Sequence, residues 1–153
     1  MVDFNFSLLK DYRDHANANA DNWTLLSYLN LKYDLDSALA FYKFFFPDFI
    51  VTKNCTVASF LFSQKNFDLW FEKCEGHIPQ VEKMCNLYEV KNFFHIAQDP
   101  LDSSLTESKQ LVLAEMLKQS WLLALNSTYP DKTFIVETFV EYESYFISFY
   151  SEV

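Results

Sequence analysis

Cys74 and His77 stand three residues apart, Cys85 follows eleven residues after Cys74, and His95 comes ten later still. Zinc needs three or four such side chains converging as a tetrahedron, and close pairs usually supply them. Here the one close pair is split around Gly76 and the other two candidates stand alone. Buried thiols and ordinary histidines account for the same residues, so no metal site is expected. Three cysteines (Cys55, Cys74, Cys85) and three histidines (His15, His77, His95) also leave room for a thiolate–imidazole pair. Such a nucleophile needs a base and a third group that orients it. No local signature of the G-x-S-x-G kind is present, and Gly76 is the chain's one glycine, so a strained nucleophile turn is not expected. Acids form the third group: Glu137, Glu141 and Glu143 lie close in sequence, and Asp99 and Asp102 flank Pro100. General acid–base work requires surroundings that drive two pKa values apart, commonly by burying one carboxyl. Glu137, among Val136, Thr138 and Phe139, is the one whose neighbours favour burial. A solvated strand face, with charge guarding a sheet edge, explains the cluster without catalysis. No catalytic residue is expected.

Composition narrows the classes further. The chain has 153 residues, half of them hydrophobic and 19% aromatic, which is one domain's worth with ample apolar side chain for a core. We therefore expect residues 1–153 to form a single domain. Twelve Lys and Arg against 21 Asp and Glu leave a formal charge of −9. So acidic a chain repels phosphate backbones and anionic lipid surfaces, and neither nucleic acid nor membrane is an expected partner. One glycine cannot build a phosphate-cradling loop or a dinucleotide fingerprint, so no cofactor is expected. An odd number of widely spaced cysteines is no disulfide framework. The start of the chain lacks a basic and apolar leader, and the richest apolar run, 38–51, is broken by Lys43, Pro47 and Asp48. The reading is cytoplasmic. Seventeen Phe, nine Tyr and three Trp are accompanied by a single arginine, Arg13, unlike a base-stacking platform. Most of these rings fall at core spacing. The exception is Tyr142, Tyr145 and Tyr150 beside Glu141 and Glu143, whose composition matches protein-recognition patches.

The elements that must position these groups follow from periodicity. Asp21 is a cap candidate for a helix through about residue 31, and Asp34 for a second one to Phe46, stopped by Pro47. On the second, Leu35, Leu39, Tyr42 and Phe46 share one face, while Phe41, Phe44 and Phe45 widen the stripe. A helix so apolar all round is expected to be buried on two sides. Phe49–Thr52 and Thr56–Leu61 read as a hairpin around Lys53-Asn54-Cys55. A helix capped by Ser63 or Asn66 ends near Gly76, and Pro79 opens another carrying Val81, Met84, Cys85 and Tyr88. Ser104-Leu-Thr-Glu107 forms a capping box that opens a helix to about Asn126, near 105–126. Its expected core face is Leu113, Met116, Leu117, Ser120, Trp121, Ala124 and Leu125. Residues 133–140 and 145–150 read as two strands. The order predicts an α+β fold, with an antiparallel sheet built from the internal and C-terminal hairpins and packed by helices. Apolar groups on both faces of the final hairpin call for helices on both sides or a second copy of the chain.

Phe45-Phe46-Pro47-Asp48-Phe49, Phe67-x2-Trp70 and Trp121-x3-Leu125-x3-Tyr129-Pro130-Asp131-Lys132-x-Phe134-x-Val136, leading into a terminal Phe149-Tyr150 strand, carry a resemblance. Over most of the chain from about Leu31 onward it resembles an uncharacterised family of short bacterial proteins that recurs in cyanobacterial genomes. The resemblance implies a shared fold and brings no activity, substrate or cofactor. The functional expectation is a non-enzymatic cytoplasmic binding or interaction protein, acting on a basic protein partner. Its weak candidate binding residues are Glu141, Tyr142, Glu143, Tyr145 and Tyr150. A homodimer, with the final hairpin or helix 34–46 at the seam, is a further expectation. The alternative is a small hydrolase or ligand-binding domain with a pocket between the sheet and the long helix, where Trp121, His95 and Glu137 would act.

Overall fold

The computed structural model describes residues 4–9, 11–19, 22–97 and 107–152, with the backbone alone for 95–97. After a short 3-10 turn, Phe6–Leu8, come α1 (Tyr12–Ala18), α2 (Leu25–Lys32) and α3 (Leu35–Phe45). The hairpin β1 (Phe49–Thr52) and β2 (Cys55–Ala58) follows, then α4 (Gln64–Lys73) and α5 (Ile78–Cys85). The chain closes with β3 (Tyr88–Glu89), a 3-10 stretch Val90–Ala97, the long α6 (Glu107–Thr128), β4 (Phe134–Glu141) and β5 (Ser144–Ser151). This is an α+β fold with two antiparallel sheets.

Local chemistry sets the boundaries. Asp34 caps α3 by accepting from the Ser37 amide at 2.8 Å. Thr24 caps α2 through a reciprocal box with Ser27. Asp21 and Ser104, the caps anticipated for the first helix and for α6, lie outside the described residues. Gly76, at φ +71°, donates its N–H to the Phe71 carbonyl and closes the end of α4. Both hairpins turn on two residues in the left-handed region: Lys53 and Asn54 (φ 45° and 66°), then Tyr142 and Glu143 (φ 49° and 60°). That is the mirror-image turn whose twist suits a two-residue loop. Tyr88, assigned by periodicity to a helix, instead starts β3, because two paired residues beside β5 are too few to show alternation.

The two hairpins do not share a ladder. β1 pairs with β2, and β5 sits between β3 and β4. What joins them is α5. Glu82, fully buried, accepts from the Thr56 amide on β2 at 2.7 Å. Its other oxygen accepts from the Ser151 amide and hydroxyl at the end of β5, at 2.6 and 2.7 Å. One turn on, buried Asn86 accepts from the Ala58 amide and donates to the Thr56 carbonyl, each at 3.0 Å, and donates to the Phe149 carbonyl at 3.2 Å. Residues i and i+4 share a helix face. The pair therefore takes up the outer edge of β2 as a neighbouring strand would, and ties it to β5. Buried backbone groups left without partners are costly, so this substitution of side chains for a strand is a strong constraint.

Each face of the three-stranded sheet meets a helix. α6 packs across β4 and β5 on one side, with Ala114, Leu117, Trp121 and Leu125 against Val136, Ile147 and Phe149. On the other side α5 lies across β5, where the Ser148 hydroxyl donates to the Lys83 carbonyl at 2.6 Å. Beyond α5, Phe139 and Phe146 stack on each other, ring centres 5.5 Å apart. Trp121 is fully buried and donates its indole N–H to the Phe44 carbonyl at 3.0 Å, which satisfies a carbonyl in the last turn of α3 and fixes that helix to α6.

Replacing Glu82 by Ala is expected to destabilise the fold by about 3 kcal/mol, since one buried donor, the Thr56 amide, and two half-buried ones, the Ser151 amide and hydroxyl, lose their acceptor. Glu82→Gln should cost a comparable amount, because its NH2 faces a donor whichever way the amide turns. Urea denaturation checks both. A Gln variant as stable as the parent would contradict the assignment.

Candidate functional site

A large apolar concavity lies on the helical side of the molecule. α2, α3 and α6 enclose a groove of about 880 Å3, with Phe4, Leu8 and Leu9 contributing from the start of the described chain. α2 supplies Leu26 and Leu29, α3 supplies Leu35, Ala38, Phe41 and Phe45, and α6 supplies Val112, Leu113 and Met116. Val90 and Phe94 form part of the lining from the 3-10 stretch, whose helical geometry breaks at Phe94. The polar residues of its lining are Asn30, Asp34, Lys109 and the buried Gln110, together with Tyr28 and Tyr33. A second concavity of about 500 Å3 adjoins it, sharing Phe4, Phe41, Phe45 and Met116 and adding Tyr42, Phe46 and Leu123.

The reason for the groove is a surplus of apolar side chain that the core does not absorb. Phe44 and Phe45 of α3 pack against the core, but α3 is not buried on two sides as its composition predicts. Leu35, Leu39, Tyr42 and Phe46 all face solvent. Met116, expected on the core face of α6, is exposed at the groove. Helical spacing places residues on a common stripe and does not say whether another element covers it.

No residue of β4 or β5 lines the groove, so it sits across α6 from the sheet. Two of the residues suspected for a pocket between sheet and helix, Trp121 and Glu137, are apart from it. Trp121 fills the core. His95 belongs to the 3-10 stretch. Glu137 lies half-buried on the sheet face that meets α5, paired with Lys83 and accepting from the Tyr150 hydroxyl at 3.3 Å. The hydrogen bond to Glu137 raises the Lys83 amine above its usual range, and burial, with Glu137 next, raises the Tyr150 phenol.

The five residues read as a recognition patch are divided between surfaces. Glu141, Tyr142 and Glu143 form the tip of the final hairpin, where Tyr142 is 91% exposed. Tyr145 and Tyr150 fall on opposite faces of β5. Tyr145 is buried in the core against α6, with its hydroxyl 3.4 Å from Glu107. Close to the tip, Lys91 bonds the Ser144 hydroxyl at 2.9 Å and Glu89 at 2.8 Å, and hydrogen bonds to the Glu89 carboxyl, from Lys91 foremost and then from Ser144, hold it below its ordinary range.

The three cysteines meet, although their spacing gives no hint of it. Cys55 from β2 and Cys85 from α5 are buried in one small cluster with Val57, Phe67 and Val81, and Cys74 packs against it. Burial pushes the Cys55 and Cys85 thiols up to about 11, the reverse of what an activated nucleophile requires. His77 is exposed at the head of α5. Among the described residues, no group of three or more His, Cys, Asp or Glu is placed to hold a metal ion, and no helix is long and apolar enough to cross a membrane. No family model, curated protein or solved structure matches the chain.

Proposed function

We propose that this chain is a non-enzymatic binding protein whose groove between α2, α3 and α6 takes an apolar small molecule. The observation that carries the reading is the groove itself. Its volume of about 880 Å3 lies in the range typical of small-molecule sites, and leucine, phenylalanine and methionine dominate its walls. The ion pairs Lys83–Glu137 and Lys91–Glu89 lie on and beside the three-stranded sheet, away from this lining. An apolar wall with few polar groups suits a ligand held by burial, in which those groups set its orientation.

The neutral apolar dye Nile red reports on such a site without a known ligand. The native protein is expected to bind it with a marked rise in fluorescence. Ala38→Trp, which fills the groove from an exposed position on α3, should weaken binding at least tenfold with an unchanged circular dichroism spectrum. Absence of binding by the native protein, or equal binding by the variant, would contradict the reading.

The hairpin tip favours a second reading, recognition of a basic protein. Tyr142, 91% exposed and flanked by Glu141 and Glu143, is held with Glu143 in left-handed backbone, where a non-glycine residue costs roughly 1–2 kcal/mol. Acidic charge around an exposed aromatic steers and anchors a cationic partner. Changing Tyr142→Asn together with Glu143→Gly should raise stability by about 1 kcal/mol, since that pair suits the turn. The same change should abolish low-salt capture of basic proteins on immobilised chain. Capture that survives the double change would remove this reading.

A further inference from the structure

We propose that α3 is the seam of a symmetric dimer, in which a second copy of the chain lays its own α3 antiparallel against the first. Leu35, Leu39, Tyr42 and Phe46 are exposed by 75%, 60%, 60% and 39%. At about 100° of rotation per residue the four fall within about 60° of one another, on the side opposite Phe44, which enters the core. This is a straight apolar stripe that nothing in the described chain covers.

Charge on the flank of the stripe identifies the occupant. Asp36 and Lys43 lie on the same flank, seven residues and so about 10 Å apart along the axis. An antiparallel dyad brings like flank against like flank and reverses the order of residues along it. Asp36 of one copy then faces Lys43 of the other, and Lys43 faces Asp36, within reach of the long lysine side chain. A parallel twofold would instead set the Asp36–Lys43 flank of one copy against the uncharged Ala38–Phe45 flank of the other, and neither charge would meet an opposite one. Lys43 bonds both Asp48 carboxylate oxygens at 2.7 Å in the single chain and stays more than half exposed, which leaves its third donor available to a second carboxylate. The stripe is complementary to itself in both apolar pattern and charge.

A stable interface removes about 800 Å2 from each partner, more than one short helix face presents. Met116 and Leu123 of α6, both exposed beside α3, complete the seam. The groove opens toward the other flank of α3, where Ala38 and Phe45 lie, and meets the seam at Leu35 and Met116. The same dyad therefore brings the two grooves side by side, each partly roofed by the opposite copy. The dimer stands on the α3 stripe and the adjoining edge of α6, and does not depend on the groove taking a ligand.

Sedimentation equilibrium of the full chain tests the proposal. The native protein is expected to dimerise, and Leu39→Lys, at an exposed position, to sediment as a monomer with an unchanged circular dichroism spectrum. Asp36→Lys and Lys43→Asp should each weaken self-association at least several-fold, because each sets like charges across the dyad. An equimolar mixture of those two variants should restore the dimer, since both cross-pairs are then opposite in sign. A native monomer at every concentration, a dimer indifferent to Leu39→Lys, or a mixture no better than its components would overturn it.

Discussion

Two side chains on one face of α5 do the work of a missing β-strand. β2 has a partner on one edge only, and its other edge carries the Thr56 amide and carbonyl and the Ala58 amide. Water does not reach these groups, because Thr56 and Ala58 are fully buried. Glu82 and Asn86 satisfy them, and the same two residues reach Ser151 and Phe149 on β5. Removing Asn86 leaves three buried backbone groups without a partner at once, and removing Glu82 leaves one buried and two half-buried donors, each buried group costing on the order of 1–3 kcal/mol. The arrangement also closes an edge that would otherwise invite another strand. It fixes where β2, α5 and β5 stand, and α6 with the remaining core then packs against β5.

The two sides of the molecule use their apolar residues differently. Around β5 they are enclosed: Trp121, Phe149, Leu117 and Ile147 are fully buried, and the three cysteines line a second small core nearby. On the helical side α3 is anchored by Phe44, Phe45 and the Trp121 hydrogen bond, yet its outer stripe and the facing edges of α2 and α6 stay in water. Exposed apolar surface of this extent is uncommon in a protein that works alone, and marks sites of ligand binding or association. The packed side holds the fold together, and the helical side carries the exposed apolar surface on which the proposed binding rests.

Much of this was legible in the residues. Asp34 and Pro47 bound α3, Gly76 ends α4, Pro79 opens α5, and alternation along Phe134–Val140 marks β4, because each is a local rule of backbone geometry. The groove was harder to read. Leu35, Leu39 and Tyr42 look the same in sequence whether a neighbour covers them or not, and Met116 fits the core period of α6 while facing the groove. The role of Glu82 and Asn86 was not readable. A Glu four residues before an Asn on a short helix is ordinary surface chemistry until β2 and β5 approach from distant parts of the chain. The meeting of Cys55, Cys74 and Cys85 follows from that same approach. Tyr142 and Tyr145 sit three apart in sequence and part company, because the chain reverses between them and Tyr145 turns to the core.

Native-state hydrogen exchange tests most directly whether α5 welds the two sheets into one unit. If it does, the amides of Thr56, Ala58 and Ser151 open only with the whole molecule, and their exchange gives one common free energy equal to that of global unfolding. Exchange of Thr56 and Ala58 through a smaller opening, while Ser151 and the β4–β5 amides stay protected, would show that the first hairpin is held independently and would contradict the account.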